Sequence, residues 1–164
     1  MTSISMNSVS MQVVGIALGF LTSSLVEYML HKEYLHRDDN MHHITKHHND
    51  YHGEKSYSIP GSKWNEIASS PAYIISNILI YLPLSVLAYF ASVPFGSAFT
   101  MTAVGYTLWV EIAHFWYHAP LNSSIEKTSV FKFIKEHHRQ HHIIYNKNYG
   151  IGSSIWDRIL GTKK

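Results

Sequence analysis

The sequence predicts an all-α fold: a multi-pass membrane helical bundle of about three spanning helices that carries a cytoplasmic histidine-rich helical cap. Three observations predict it. Charge is segregated, with no Asp, Glu, Lys or Arg in residues 1–26 or 67–110, and all 13 Lys and Arg in 31–66 or after 118. The uncharged stretches are long enough to span, since a crossing helix needs roughly 20 mostly apolar residues. Most of the 13 histidines recur at three- and four-residue steps at the ends of these apolar stretches, the spacing that shares a helix face. Averages conceal this pattern, because a mean hydropathy of −0.07 and 15% charged residues would suit a soluble domain.

Taken in order, residues 8–30 supply the first span, whose only charge is Glu27 near its end. A cleaved secretory signal wants a basic leading region, and no basic residue precedes Lys32, so the segment is expected to remain as a helix. The uncharged run 67–110 holds two more spans, 71–91 and 97–118. They are separated by a turn expected at Ser92-Val93-Pro94-Phe95-Gly96-Ser97. Pro83 falls inside the second span and is expected to kink it. Lys32, Arg37, Lys46, Lys55 and Lys63 put 31–66 on the cytoplasmic side, together with the basic tail 119–164. Three spans then give an N-out, C-in topology for a single domain, 1–164, with every histidine box on one membrane face. That face is cytoplasmic, in the plasma membrane of a bacterium or the endoplasmic reticulum of a eukaryote.

The boxes read His31-x4-His36, His43-x3-His47-His48, His114-x3-His118 and His138-x2-His141-His142. Neutral imidazole is the commonest protein metal ligand, and ten at such spacing exceed what one ion uses, so a dimetal site is expected. His114 and His118 share one helical face, as do His43 with His47, and His138 with His141 or His142. Glu27 precedes His31, and Glu111 precedes His114, on the same stripes. Each is a candidate additional or outer ligand, Glu111 chiefly as a hydrogen-bond partner fixing a histidine tautomer. His36, five residues past His31, is expected to point elsewhere and to bridge toward a second ion. The chain has no cysteine, which removes thiolate sites and disulfides. The net charge of +2 reflects membrane orientation, and no nucleic-acid partner is expected. Asn122-Ser123-Ser124 matches a glycosylation acceptor but lies on the cytosolic side of this topology.

The tail carries a second signal, His137-His138-Arg139-Gln140-His141-His142 followed by Asn148-Tyr149-Gly150, Ser153, Trp156-Asp157-Arg158 and Gly161-Thr162. HHxxHH followed by NYGxxSxxWDRxxGT, together with Glu27-Tyr28-x2-His31-x4-His36 and the other boxes, resembles the fatty acid hydroxylase and sterol desaturase superfamily over about residues 20–162. The resemblance is strongest to small fatty acid hydroxylases. It implies an O2-dependent membrane oxidoreductase that hydroxylates a fatty acyl or sphingolipid chain. Two iron ions would be held by His31, His36, His43, His47, His48, His114, His118, His138, His141 and His142, with zinc an alternative in purified protein. No catalytic residue beyond these ligands is implied. His137 is the first candidate to join the set, while His42 and His52 are expected to be loop histidines. Asp157 is expected to pair with a basic group or cap the terminal turn, Trp156 to anchor the cap, and Asn148 and Gly150 to make a tight turn. Trp109, Phe115, Trp116 and Tyr117 are expected to line the acyl pocket or to form an interfacial belt.

The sequence departs from the family in three ways. The second box is H-x3-HH where many eukaryotic 2-hydroxylases have H-x2-HH, only six residues separate His36 from His43, and members often have four spans. No cytochrome b5 module accompanies the boxes, so electrons are expected from a separate donor: a cytochrome b5, a ferredoxin or a reductase. Sterol or carotenoid hydroxylases and desaturases of the same superfamily are the alternative. From another class, a histidine-rich metal transporter would bind near the bilayer midplane through broken helices, whereas these boxes gather at one interface. A zinc hydrolase would lack its HExxH signature.

Overall fold

The structure, a computed structural model, describes residues 7–36, 43, 47–51 and 57–164. His42 and His52 lie outside the described residues. The chain forms helices α1 (Ser8–Met29), α2 (Trp64–Ile67), α3 (Pro71–Ile80), α4 (Leu82–Ala91), α5 (Val93–His118), α6 (Ser129–Ile143) and α7 (Ile155–Ile159). A π-helical turn, Leu30–Leu35, extends α1, and a 3-10 turn, Ile125–Lys127, precedes α6. No strand occurs among the described residues.

Two compact units are present. One comprises the helical residues up to Ser23 together with Pro71–Leu108; the other comprises Ser24–Ser70 and Trp109–Lys164. In the first unit, α1 lies against α5 at backbone-contact distance, because Gly15 and Gly19 carry no side chain there. A Cβ on Gly15 would meet the Phe95 carbonyl oxygen at 2.6 Å, and one on Gly19 would meet that of Phe99 at 2.7 Å. Small residues four apart permit this approach, which maximises packing where lipid offers no hydrophobic driving force. Replacing Gly19 with Val should therefore force the helices apart and cost about 1–3 kcal/mol, the usual penalty of overpacking. Detergent-to-SDS unfolding curves would show the loss.

The break expected near Pro83 is present, whereas the turn expected at 92–97 is not. α3 stops at Ile80 and α4 restarts at Leu82, so Pro83 falls in the first turn of a new helix, where a missing N–H costs nothing. The expected loop 92–97 is instead the beginning of α5, which starts at Val93. Ser92 is extended at φ −171°, and its Oγ accepts the Phe95 amide at 3.3 Å. Pro94 then sits in the first helical turn, so the sequence Ser-Val-Pro is a capped helix start rather than a turn. Ser8–Leu35 and Pro71–Ala91 are long and apolar enough to cross a membrane by length and composition. α5 is 26 residues long but falls short of these two in mean hydropathy.

The second unit holds the histidines. α6 is amphipathic, burying Phe131, His137, His138, His141 and His142 while leaving Val130, Phe133 and Glu136 exposed. Thr128 caps its N-terminus by accepting the Phe131 amide. Tyr51, Ile67 and Ala119 form a small apolar core beside Phe115, against which Trp64 also packs.

Candidate metal centre

The ten box histidines converge as two groups of five. His31, His36, His43, His48 and His141 form one; His47, His114, His118, His138 and His142 form the other. Within each group one nitrogen per ring lies within 4.8 Å of all the others. The two groups abut, with ring centroids 4.6 Å apart for His48 and His142 and 5.2 Å for His43 and His47.

Helix geometry explains the division. His114 with His118, and His138 with His142, are four apart on α-helices and face one centre together. His141 and His142 are neighbours, so about 100° of helix rotation sends them to different centres. His47 and His48 divide in the same way. His36 overturns an expectation, because it joins His31 in one group instead of pointing away. The cause is the π-helical turn, whose wider winding places residue i+5 over residue i, as the His36 N–H donating to the His31 carbonyl at 3.2 Å records.

Three rings are aimed by backbone carbonyls. His31 Nδ1 meets the Tyr149 oxygen, His118 Nδ1 the Tyr57 oxygen at 2.7 Å, and His141 Nδ1 the Lys147 oxygen at 2.7 Å. A carbonyl only accepts, so each Nδ1 carries the proton and each Nε2 presents its lone pair inward. Inward nitrogens approach one another closely: His31 to His43 at 3.2 Å, His36 to His141 at 3.1 Å, His47 to His114 at 3.2 Å, and His138 to both His118 and His142 at 3.2 Å. Metal–imidazole bonds of roughly 2.0–2.1 Å would separate adjacent ligand nitrogens by about 3.0–3.4 Å, so these edges suit ligands of one ion.

Burial keeps the set neutral. For His138 and His142, removal from water followed by repulsion from neighbouring histidines holds the ring pKa well below its ordinary value. Burial alone lowers half-buried His36 to about 4. At neutral pH the centre therefore presents lone pairs with no protons to displace. Desolvating so many imidazoles is costly without an electropositive partner for the Nε2 lone pairs that face one another at 3.1–3.2 Å. The donor set thus fits two divalent or trivalent cations. An all-imidazole set suits iron and zinc alike.

Residues expected to join or orient the ligands act differently. His137 stands outside both groups. Its Nε2 lies 2.9 Å from Asp157 Oδ2, both side chains being buried. Glu111 belongs to neither group, and among the described residues its carboxylate makes no tautomer-fixing hydrogen bond to a ligand; it accepts the Ser69 amide at 2.9 Å and so ties the α2–α3 connection to α5. Glu27 Oε1 accepts the Ile151 amide at 2.7 Å, fastening the tail to the end of α1. Of the aromatic residues, Tyr117 is buried and donates to the Ile151 carbonyl at 3.2 Å, while Trp109 and Trp116 pair edge to face. Trp156 Nε1 donates to Ser24 Oγ at 3.0 Å, which anchors α7 to α1.

Asp157 is the hub of the tail. It accepts the Tyr149 amide at 2.8 Å, the Gly150 amide at 2.9 Å and the Thr162 hydroxyl at 2.7 Å, besides His137. Burial pushes its carboxyl up, but these donors, His137 first, overcome it and hold the group below the usual carboxylate range. The tight turn expected at Asn148 and Gly150 is present: Asn148 takes the left-handed conformation at φ 56°, and a Cβ on Gly150 would overlap the Ser153 carbonyl. Sequence reasoning missed Tyr57 and Lys147, since a backbone carbonyl acting as acceptor leaves no side-chain signature.

The model of the fatty acid hydroxylase family matches residues 16–162. A dihydroceramide fatty acyl 2-hydroxylase of Arabidopsis thaliana is 30% identical over 148 residues, covering 90% of this chain and 59% of that protein. A fatty acid 2-hydroxylase of Rattus norvegicus is 27% identical over 149 residues, covering 88% of this chain and 38% of that protein. The chain therefore spans between about two fifths and three fifths of the length of these relatives. No solved structure gives a significant match.

Proposed function

The chain belongs to the fatty acid hydroxylase family, and from that membership we propose that it is a membrane di-iron oxygenase that uses O2 to hydroxylate a fatty acyl or sphingolipid chain. The single observation that carries this reading is the pair of abutting five-histidine groups. His31, His36, His43, His48 and His141 would hold one iron, and His47, His114, His118, His138 and His142 the other. When bound, the two irons would relay two electrons from the external donor to O2 and supply the oxidising power that insertion into an unactivated C–H bond requires.

The protein's own contribution is positioning and exclusion of water. Tyr149, Tyr57 and Lys147 carbonyls fix three ring orientations in advance, so little reorganisation accompanies metal binding. Deep burial of the second group keeps water from the reacting atoms, while half-buried His36 and His43 leave the first group nearer to solvent. The charge distribution supports three spans with the histidine-bearing segments on the cytoplasmic side, where a separate protein donor, a cytochrome b5, ferredoxin or reductase, would deliver electrons. Acyl chains reach such a centre from the bilayer.

Expression in a host lacking endogenous lipid hydroxylase, followed by lipid mass spectrometry, tests the proposal. Hydroxylated acyl chains, sought first at carbon 2 of free fatty acids and ceramides, are the expected product. An unchanged lipid profile in cells holding metal-loaded protein and a working electron donor would overturn it.

A further inference from the structure

The two histidine groups are anchored in different ways. In the group containing His31, two rings are aimed by carbonyls of adjacent tail residues, His31 by Tyr149 and His141 by Lys147. In the other group the carbonyl that aims a ring, Tyr57 on His118, comes from a separate segment. The tail segment 147–151 therefore serves one group in particular.

What shapes that segment is Asp157. Its two carboxylate oxygens accept consecutive amides, Tyr149 on Oδ1 and Gly150 on Oδ2, which fixes the peptide planes on either side of Tyr149 and hence the direction of the Tyr149 carbonyl. Thr162 and His137 hold the carboxylate in place from the other side. The segment's ends are tied separately. Asn148 donates through Nδ2 to the His137 carbonyl at 3.3 Å, and Ile151 joins Glu27 through its amide and Tyr117 through its carbonyl. α6, which carries ligands of both groups, is a 15-residue helix whose backbone hydrogen bonds are internal, and Asp157 meets it through the His137 side chain.

We infer that Asp157 is a positioning residue for one metal ion only, acting through the Tyr149 carbonyl on His31, so that loss of its carboxylate empties the His31 group and spares the His47 group. This rests on the dimetal reading above. It makes the two sites thermodynamically unequal, with a structural carboxylate some residues beyond the last histidine box setting the affinity of one of them.

The experiment measures metal per chain on the detergent-purified full-length protein after graded chelator exposure. Reference variants empty one group by paired substitution: His36→Ala with His141→Ala for the first, His47→Ala with His142→Ala for the second. Asp157→Ala is expected to hold one ion. Combined with the first reference pair it should still hold one, and combined with the second it should hold none. Asp157→Asn fills the same volume and keeps one acceptor oxygen, so it retains the fold should Asp157→Ala lose it. In that variant the first ion should be released at roughly 10–100-fold lower chelator concentration than in wild type, with release of the second unchanged. Two tightly held ions in both Asp157 variants, or equal weakening of the two, would overturn the inference. Wild-type protein that holds fewer than two ions would instead overturn the dimetal reading itself.

Discussion

Replacing His141 with Ala is expected to abolish lipid hydroxylation and to lower bound metal. Its Nδ1 is aimed by the Lys147 carbonyl at 2.7 Å, its Nε2 lies 3.1 Å from that of His36, and the ring is fully buried. Loss of an outer-shell partner costs roughly 10–100-fold in affinity or activity, and removal of a ligand should exceed that. The nearby His137 sets the contrast, because it faces Asp157 and belongs to neither group. His137→Gln should keep two ions per chain. Metal analysis of the two variants beside product assays checks both statements; full activity in His141→Ala would remove it from the ligand set.

The second large effect is expected from stripping the metal. Ten imidazoles, most of them buried, face one another at close range, and without cations their lone pairs have no counterpart. Binding at 100 to 1,000 times Kd stabilises by about 2.7–4.1 kcal/mol per site, so two sites contribute on the order of 5–8 kcal/mol. At roughly 2–4 °C per kcal/mol for a chain of this size, chelation should lower Tm by on the order of 10–30 °C. Thermal unfolding of detergent-purified protein, with and without chelator, reads the shift, and re-addition of ferrous iron should restore it. An unchanged Tm after complete metal removal would show that the histidine groups stand without ions.

Which histidines come together was legible in the sequence, since the ten in boxes are, among the described residues, the ones that meet. How they divide was not. Spacing alone treats His31 and His36 as facing apart, because it assumes 3.6 residues per turn, and nothing in Leu-His-Lys-Glu-Tyr-Leu announces a π-helical turn. Spacing likewise paired His43 with His47, yet these rings belong to different groups. Glu111 looked like a partner for a histidine because it lies one turn before His114; its carboxylate instead serves the Ser69 amide, an acceptor choice fixed by where the chain between α2 and α3 passes.

The helices show the same contrast. Apolar length located α1 and the Pro71–Ala91 pair, whose boundaries follow from residue type. The start of α5 was missed because Pro94 and Gly96 read as a turn when Ser92 caps a helix through them. Contacts from side chains to main-chain carbonyls were the least visible. The carbonyls of Tyr57, Lys147 and Tyr149 aim three ligands, and only Tyr149 sits in a motif that drew attention.

The most direct test of the central claim is the fate of heavy-isotope O2 supplied to iron-loaded, detergent-purified protein with a chemical or protein reductant and fatty acyl or ceramide lipid. A dimetal lipid oxygenase predicts about two irons per chain and one labelled oxygen atom in a hydroxylated acyl chain, with no product when iron is withheld. Unlabelled or absent product from protein that holds both irons would contradict it.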